Sequence, residues 1–212
     1  LLGIACNDPF VNCFCTSIGG SPFGREGLDL LFIDCGDLFT LEVITEIGKE
    51  ITGKASSLLS PAAAESSEQI AQAATDKIKR HIDLTGLPEK LASLFEHPVW
   101  KEFASKCIGC GICTYSCPTC YCFDMQDETT LKQGRRVRIW DSCMFPEYTL
   151  HASGHNPRAT RTERFRNRIY HKFKFNMDNF HSYSCVGCGR CISLCPVNID
   201  LIDYLSRVKE TE

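Results

Sequence analysis

The sequence predicts an α+β protein in which a small β-containing amino-terminal region precedes a mainly helical second half. Three observations carry that expectation. The runs DLLFID (29–34) and LFTLEVIT (38–45) have strand composition and flank a Cys35-Gly36-Asp37 turn, the pattern of a hairpin. From Ser60 onward apolar residues recur at helical spacing. The stretch CIGCGICTYSCP (107–118) returns as CVGCGRCISLCP (185–196) with 7 of 12 positions identical: four cysteines, two glycines and the proline.

Taken in order, the glycines of SIGGSPFGREG mark a loop ahead of the hairpin. Ser60 suits an N-cap with Pro61 at the first helical position, and Ile70, Ala74, Ile78 and Ile82 follow as one stripe. LPEKLASLFEHPVWKEFASK keeps helical periodicity through Leu91, Leu94 and Phe95 and breaks at Pro98. Residues 1–99 thus read as the β-containing region plus a helical connector. Residues 100–212 read as a second domain, with 118–184 a helical insertion between the two cysteine repeats. Within the insertion Asn156 is the expected cap and Pro157 the first helical residue. Phe165, Ile169 and Phe173 form an apolar stripe there, with Arg161, Arg164, Arg168 and Lys172 on a neighbouring face. Asn198 is the expected cap of a last helix carrying Leu201, Leu205 and Val208. The chain opens at Leu1 inside an apolar run and without a methionine, so its true beginning is expected to be missing.

Composition narrows the classes. With 212 residues, a net charge of −3 and 43% hydrophobic residues, the chain reads neither as a nucleic-acid binder nor as a disordered segment. No apolar run reaches the roughly 20 residues of a membrane span. Fifteen cysteines are many. Eight of them sit too close within the repeats to pair comfortably, the total is odd, and the core needs no staples. Metal ligation in a reducing, cytoplasmic compartment is the better reading than disulfides.

Each repeat has the spacing C-x2-C-x2-C-x3-C-P. Three thiolates at this interval wrap one corner of an iron–sulfur cubane, and the fourth is directed to the opposite cluster. The expected ligands of a first [4Fe–4S] cluster are Cys107, Cys110, Cys113 and Cys195, and those of a second are Cys185, Cys188, Cys191 and Cys117. Gly109, Gly111, Gly187 and Gly189 allow tight turns whose N–H groups face anionic sulfur, and Pro118 and Pro196 turn the chain away. Structural zinc is the alternative, although it favours two separated pairs. A long helical linker, in place of the short strands of compact two-cluster ferredoxins, fits an α-helical ferredoxin-type dicluster domain.

The motifs CIGCGICTYSCPTCYCFD, WDSCMF, RFRNRIYHKF and CVGCGRCISLCPVNIDL together resemble the iron–sulfur β subunit of cytoplasmic [NiFe] hydrogenases (sulfhydrogenases). They are equally similar to the 4Fe–4S dicluster component of anaerobic sulfite reductase. The upstream CFCTSIGGSPFGREGLDLLFIDCGDLFTLEVIT is similar to the same family's amino-terminal region. The resemblance implies an electron relay between a flavin- and nicotinamide-binding partner and a catalytic or further iron–sulfur subunit. The paired-cysteine motif of a heterodisulfide reductase catalytic chain is absent.

Seven cysteines remain. Cys6, Cys13, Cys15 and Cys35 form one set and Cys120, Cys122 and Cys143 another; either could contribute to a third iron–sulfur cluster, or all could be buried free thiols. An enzyme with an extra, substrate-binding cluster is therefore the alternative function. The segment Arg158–Lys174 carries seven Arg or Lys against one Glu. It could dock a partner, offset cluster charge or form a solvated face. His151, His155, His171 and His181 read as surface or packing residues, and Trp140, Tyr115 and Tyr183 as cluster walls. No general-base constellation, nucleotide fingerprint or nucleophile motif appears, so no catalytic residue is expected in this chain.

Overall fold

The structure, a computed structural model, describes residues 1–60 and 65–212. The expected placement of Pro61 at the first turn of a helix lies outside the described residues. The chain forms two compact units, Leu1–His81 and Ile82–Glu212. The stretch 82–99, read from the sequence as a connector, packs within the second unit.

In the first unit β1 (Leu2–Ile4), β2 (Leu30–Asp34) and β3 (Phe39–Val43) make a sheet of that order. β1 runs parallel to β2, with Gly3 opposite Leu31. β2 and β3 form the expected antiparallel hairpin, Asp34 opposite Phe39, and Gly36 turns it at φ +94°. Alternation along β2 puts Leu31 and Ile33 on the buried side, where they meet Ala5, Phe23 and Ala74. α1 (Glu46–Lys54) starts at Thr45, whose hydroxyl accepts from Gly48 N. α2 (Glu65–Asp76) lays Ile70 and Ala74 on this core.

The expected stripe does not continue past Ala74, because α2 ends at Asp76 and leaves Ile78 and Ile82 outside it. Long polar side chains after Asp76 are held by the loop after β1: Lys77 by Asp8 (2.9 Å), Arg80 by Asn12 (2.8 Å) and His81 by Ser17 (3.0 Å). These contacts override the local helical preference.

The second unit is mainly helical. α3 (Leu87–Ser93) and α4 (Val99–Phe103) are separated at Pro98, as expected. α6 (Arg161–Tyr170) runs through a π-helical turn (His171–Phe175) into α7 (Asn176–Phe180), and α9 (Leu201–Glu210) closes the chain. Their core is aromatic: Phe103 stands edge-on to Tyr204 at 4.8 Å, and Trp100 to Tyr170 at 5.4 Å. The polar tips are satisfied, since Trp100 Nε1 donates to Leu94 O (2.7 Å) and Tyr170 Oη to Leu91 O (2.6 Å).

Three local expectations are corrected. Asn156 and Pro157 do not start α6; it starts at Arg161 behind a capping box, in which Thr160 N donates to Glu163 Oε2 (2.7 Å) and Glu163 N to Thr160 Oγ1 (3.4 Å). Asn156 instead ties a turn, accepting from Thr149 and donating to Pro146 O. Asn198 takes a left-handed conformation (φ 53°), and Asp200 caps α9. The insertion is only partly helical. β4 (Phe123–Thr129) and β5 (Gly134–Trp140) form an exposed hairpin, held by cross-strand pairs such as Arg136 to Asp127 (2.7 Å) rather than by burial. Replacing Trp100 by alanine is expected to cost about 3–5 kcal/mol, read as a lower urea midpoint at an unchanged m-value under anaerobic conditions.

Candidate metal centre

The two cysteine repeats fold alike, bond for bond. Gly109 and Gly187 N–H groups each approach the Sγ of the cysteine two residues earlier at 3.4 Å. Gly111 and Gly189, at φ +76° and +68°, precede one-turn helices, α5 (Ile112–Tyr115) and α8 (Arg190–Ser193). Thr114 N bonds Gly111 O at 2.9 Å and Ile192 N bonds Gly189 O at 3.0 Å. Cys117 N and Cys195 N then close on Thr114 O and Ile192 O. At Gly111 a side chain is excluded twice, by φ and by Phe145, whose ring would stand 2.8 Å from a Cβ.

α5 packs against α8, and this places the repeats face to face. Cys107, Cys110 and Cys113 of the first repeat share one cavity with Cys195 and Cys191 of the second. Its remaining wall is apolar, including Ile112, Met144, Phe165, Ile169 and Leu201. Burial pushes the thiols of Cys107 and Cys113 up, and that of Cys185 to about 11. Thiols so placed ionise only beside strong positive charge.

That charge comes from α6 and the π turn after it. Arg161, Arg164, Arg168 and Lys172 form a row along this helix and turn toward the cysteine segments. Arg161 donates to Cys107 O (2.8 Å), Arg164 to Met144 O (3.0 Å) and Arg168 to Cys113 O (3.3 Å). Lys172, only 3% exposed, donates to Cys117 Sγ (3.2 Å), Thr119 Oγ1 (3.1 Å) and Ser184 O (2.9 Å). Thr119 Oγ1 also donates to Ser184 O (2.9 Å), so Lys172 and Thr119 together tie the end of the first repeat to the start of the second. Burial works against both cations, yet the thiolates of Cys113 and Cys191 hold Arg168 charged, and those of Cys117 and Cys120 hold Lys172 charged. Cys117 is drawn down, first by the Cys120 thiol and, against its burial, by Lys172. The buried Nε of Arg168 has no partner within the chain. A buried guanidinium left open beside cysteines fits an anionic, sulfur-rich group. The solvated-face reading of this segment fails, because Arg164, Arg168 and Lys172 are buried.

The remaining candidates divide. Cys188 is half-buried in the loop before α8. Cys35 sits at the turn between β2 and β3 with its thiol 3.2 Å from Thr40 Oγ1. Cys6 is exposed, Cys13 buried and Cys15 between the two. Cys122 and Cys143 are buried together, and Cys120 lies beside Cys117. Among the described residues no group of three or more Cys, His, Asp or Glu is arranged for a single metal ion; cubane ligands stand further apart, each on its own iron. Trp140 and Tyr115 do not wall the cavity, being 69% and 53% exposed, and Tyr183 packs on Phe173. The wall that sequence reasoning missed is the WDSCMF segment. Ser142, fully buried, bonds Thr114 Oγ1 at 2.7 Å, Met144 lines the cavity, and Phe145 covers Gly111.

A family model described as a 4Fe-4S dicluster domain matches residues 106–199. The chain is similar to sulfhydrogenase 2 subunit beta of Pyrococcus furiosus, with 34% identity over 214 residues that cover 99% of this chain. It spans 63% of that relative's length. No solved structure matches it. Residues 106–199 are therefore a 4Fe-4S dicluster domain, with two [4Fe–4S] clusters, in a chain homologous to a sulfhydrogenase beta subunit.

Proposed function

We propose that this chain is an electron-transfer subunit whose first cluster is held by Cys107, Cys110, Cys113 and Cys195 and whose second is held by Cys185, Cys188, Cys191 and Cys117. The observation that carries this reading is the cavity in which the first three cysteines of one repeat meet the last cysteine of the other. Bound clusters supply one-electron exchange without atom transfer. The chain's own residues do the rest. The glycine turns fix the thiolates, Met144 and Phe165 exclude water, and Arg168 and Lys172 balance charge. The partners are a flavin- and nicotinamide-binding subunit on one side and a catalytic or iron–sulfur subunit on the other, in a cytoplasmic complex of hydrogenase or sulfite-reductase type. Kinship with a sulfhydrogenase beta subunit supports a multi-subunit setting, and among the described residues no helix is long and apolar enough to cross a membrane.

Crossed ligation has a distinctive signature in iron content. Chains carrying both clusters hold about eight irons, and their reduced paramagnetic resonance spectrum shows two interacting centres. The pair Cys107→Ala with Cys195→Ala is expected to lose only one cluster, since both residues serve the same one. Cys107→Ala with Cys117→Ala is expected to lose both. Iron and acid-labile sulfide analysis reads the difference, and the opposite pattern rejects the assignment.

Lys172→Met removes a buried positive charge from the ligand Cys117. Adding an electron there becomes harder, so one of the two reduction potentials falls by on the order of 100 mV, the size of a nearby charge at moderate dielectric. A redox titration followed by paramagnetic resonance measures it. An unchanged pair of potentials overturns the charge-balancing role.

A further inference from the structure

Cys122 and Cys143 belong to neither repeat, yet the fold brings them together. The β4–β5 register continues one step beyond Phe123 and Trp140, where Asp141 N donates to Cys122 O at 3.0 Å. The chain then turns over Ser142–Phe145, with Phe145 N bonded to Ser142 O at 3.0 Å. Both thiols end on the wall of one pocket, 8% and 6% exposed, beside Tyr148, Arg158 and His171.

The two sulfurs are unequal. Cys122 is drawn down to about 6, chiefly by the Cys143 thiol and, against its burial, by the Cys143 N–H and the Tyr148 hydroxyl. Cys143 is pushed up by the same neighbour and by burial. A thiolate next to a protonated thiol, at a pocket with a cationic side chain, is the arrangement that thiol–disulfide exchange requires.

We propose that Cys122 and Cys143 form an exchange site for small, carboxylate-bearing disulfides, with Cys122 attacking, Cys143 resolving and Arg158 facing the carboxylate. Cys122 Sγ attacks one sulfur of the small disulfide, which breaks its S–S bond, forms a mixed disulfide and releases one thiolate that takes up a proton. Cys143 Sγ gives up its proton and attacks Cys122 Sγ. The Cys122–Cys143 disulfide forms, and the second small thiolate leaves and takes that proton. The two cysteines lose two electrons and the small disulfide gains two. Excess small thiol reverses the reaction.

The test uses the full chain with its clusters, kept anaerobic and treated with oxidised glutathione, followed by alkylation and peptide mass mapping. The expected result is a Cys122–Cys143 linked peptide pair, two glutathione thiols released per chain, and unchanged iron content. Cys143→Ser is expected to trap glutathione on Cys122, Cys122→Ser to abolish both release and adduct, and Arg158→Gln to slow release at least several-fold. Glutathione appearing first on other cysteines, or an inert Cys122 in the folded chain, overturns the proposal. Loss of iron in Cys122→Ser or Cys143→Ser also overturns it, by making these residues cluster ligands. A chain without two clusters defeats the relay reading alone, because the exchange uses no ligand of either cluster.

Discussion

Buried sulfur needs buried positive charge, and the rest of the second unit is arranged around that need. Eight cysteines gathered within a few helical turns would repel one another as thiolates, and as neutral thiols they could hold no iron. Arg168 and Lys172 resolve the conflict from one side of one helix. A guanidinium with an unpartnered Nε and an ammonium seated on Cys117 Sγ are costly alone and favourable only against anions. Cations and sulfur thus justify each other's burial.

The helix that delivers these cations also anchors the core. Phe165, Ile169, Tyr170 and Phe173 face α3, α4 and α9, while Arg161, Arg164, Arg168 and Lys172 face the cysteine segments. One rod therefore fixes the cations relative to the sulfurs through aromatic packing. The π turn at 171–175 lies where Lys172 must reach both Thr119 and Ser184 O. Such turns occur in helices mostly where a functional group demands a shift of register. The capping box at Thr160 sets the phase of the whole rod from its first turn.

Much of this was legible in the sequence because the chemistry is local. Cysteine spacing, the glycines within each repeat, the β2–β3 turn and the break at Pro98 are all short-range signals, and each matches the structure. The β4–β5 hairpin was missed because its strands carry charge on both faces and leave no apolar alternation to detect. T-x-x-E at 160–163 was readable as a capping box, but the Asn156-Pro157 pair offered a competing start. The burial of Arg164, Arg168 and Lys172 was not readable at all. A basic stripe on a helix looks the same whether it meets water or thiolates, and only tertiary packing separates the two cases.

The two repeats share a backbone, so any difference between their sites must come from what surrounds them. Equivalent sulfurs receive different donors. Cys117 Sγ takes the Lys172 ammonium at 3.2 Å, whereas Cys195 Sγ takes only the Ile199 N–H at the same distance. The cavity shared by Cys107, Cys110, Cys113 and Cys195 is walled by aliphatic and aromatic side chains, while the segment around Cys117 and Cys185 carries Thr119, Ser184 and Lys172. Hydrogen bonds and positive charge favour an added electron, and an apolar wall disfavours it. Lys172 comes from the insertion. Residues 118–184 are therefore more than a spacer between two copies of a motif: they supply the element that makes the copies electrostatically unequal, and inequality is what gives a pair of adjacent redox centres a direction.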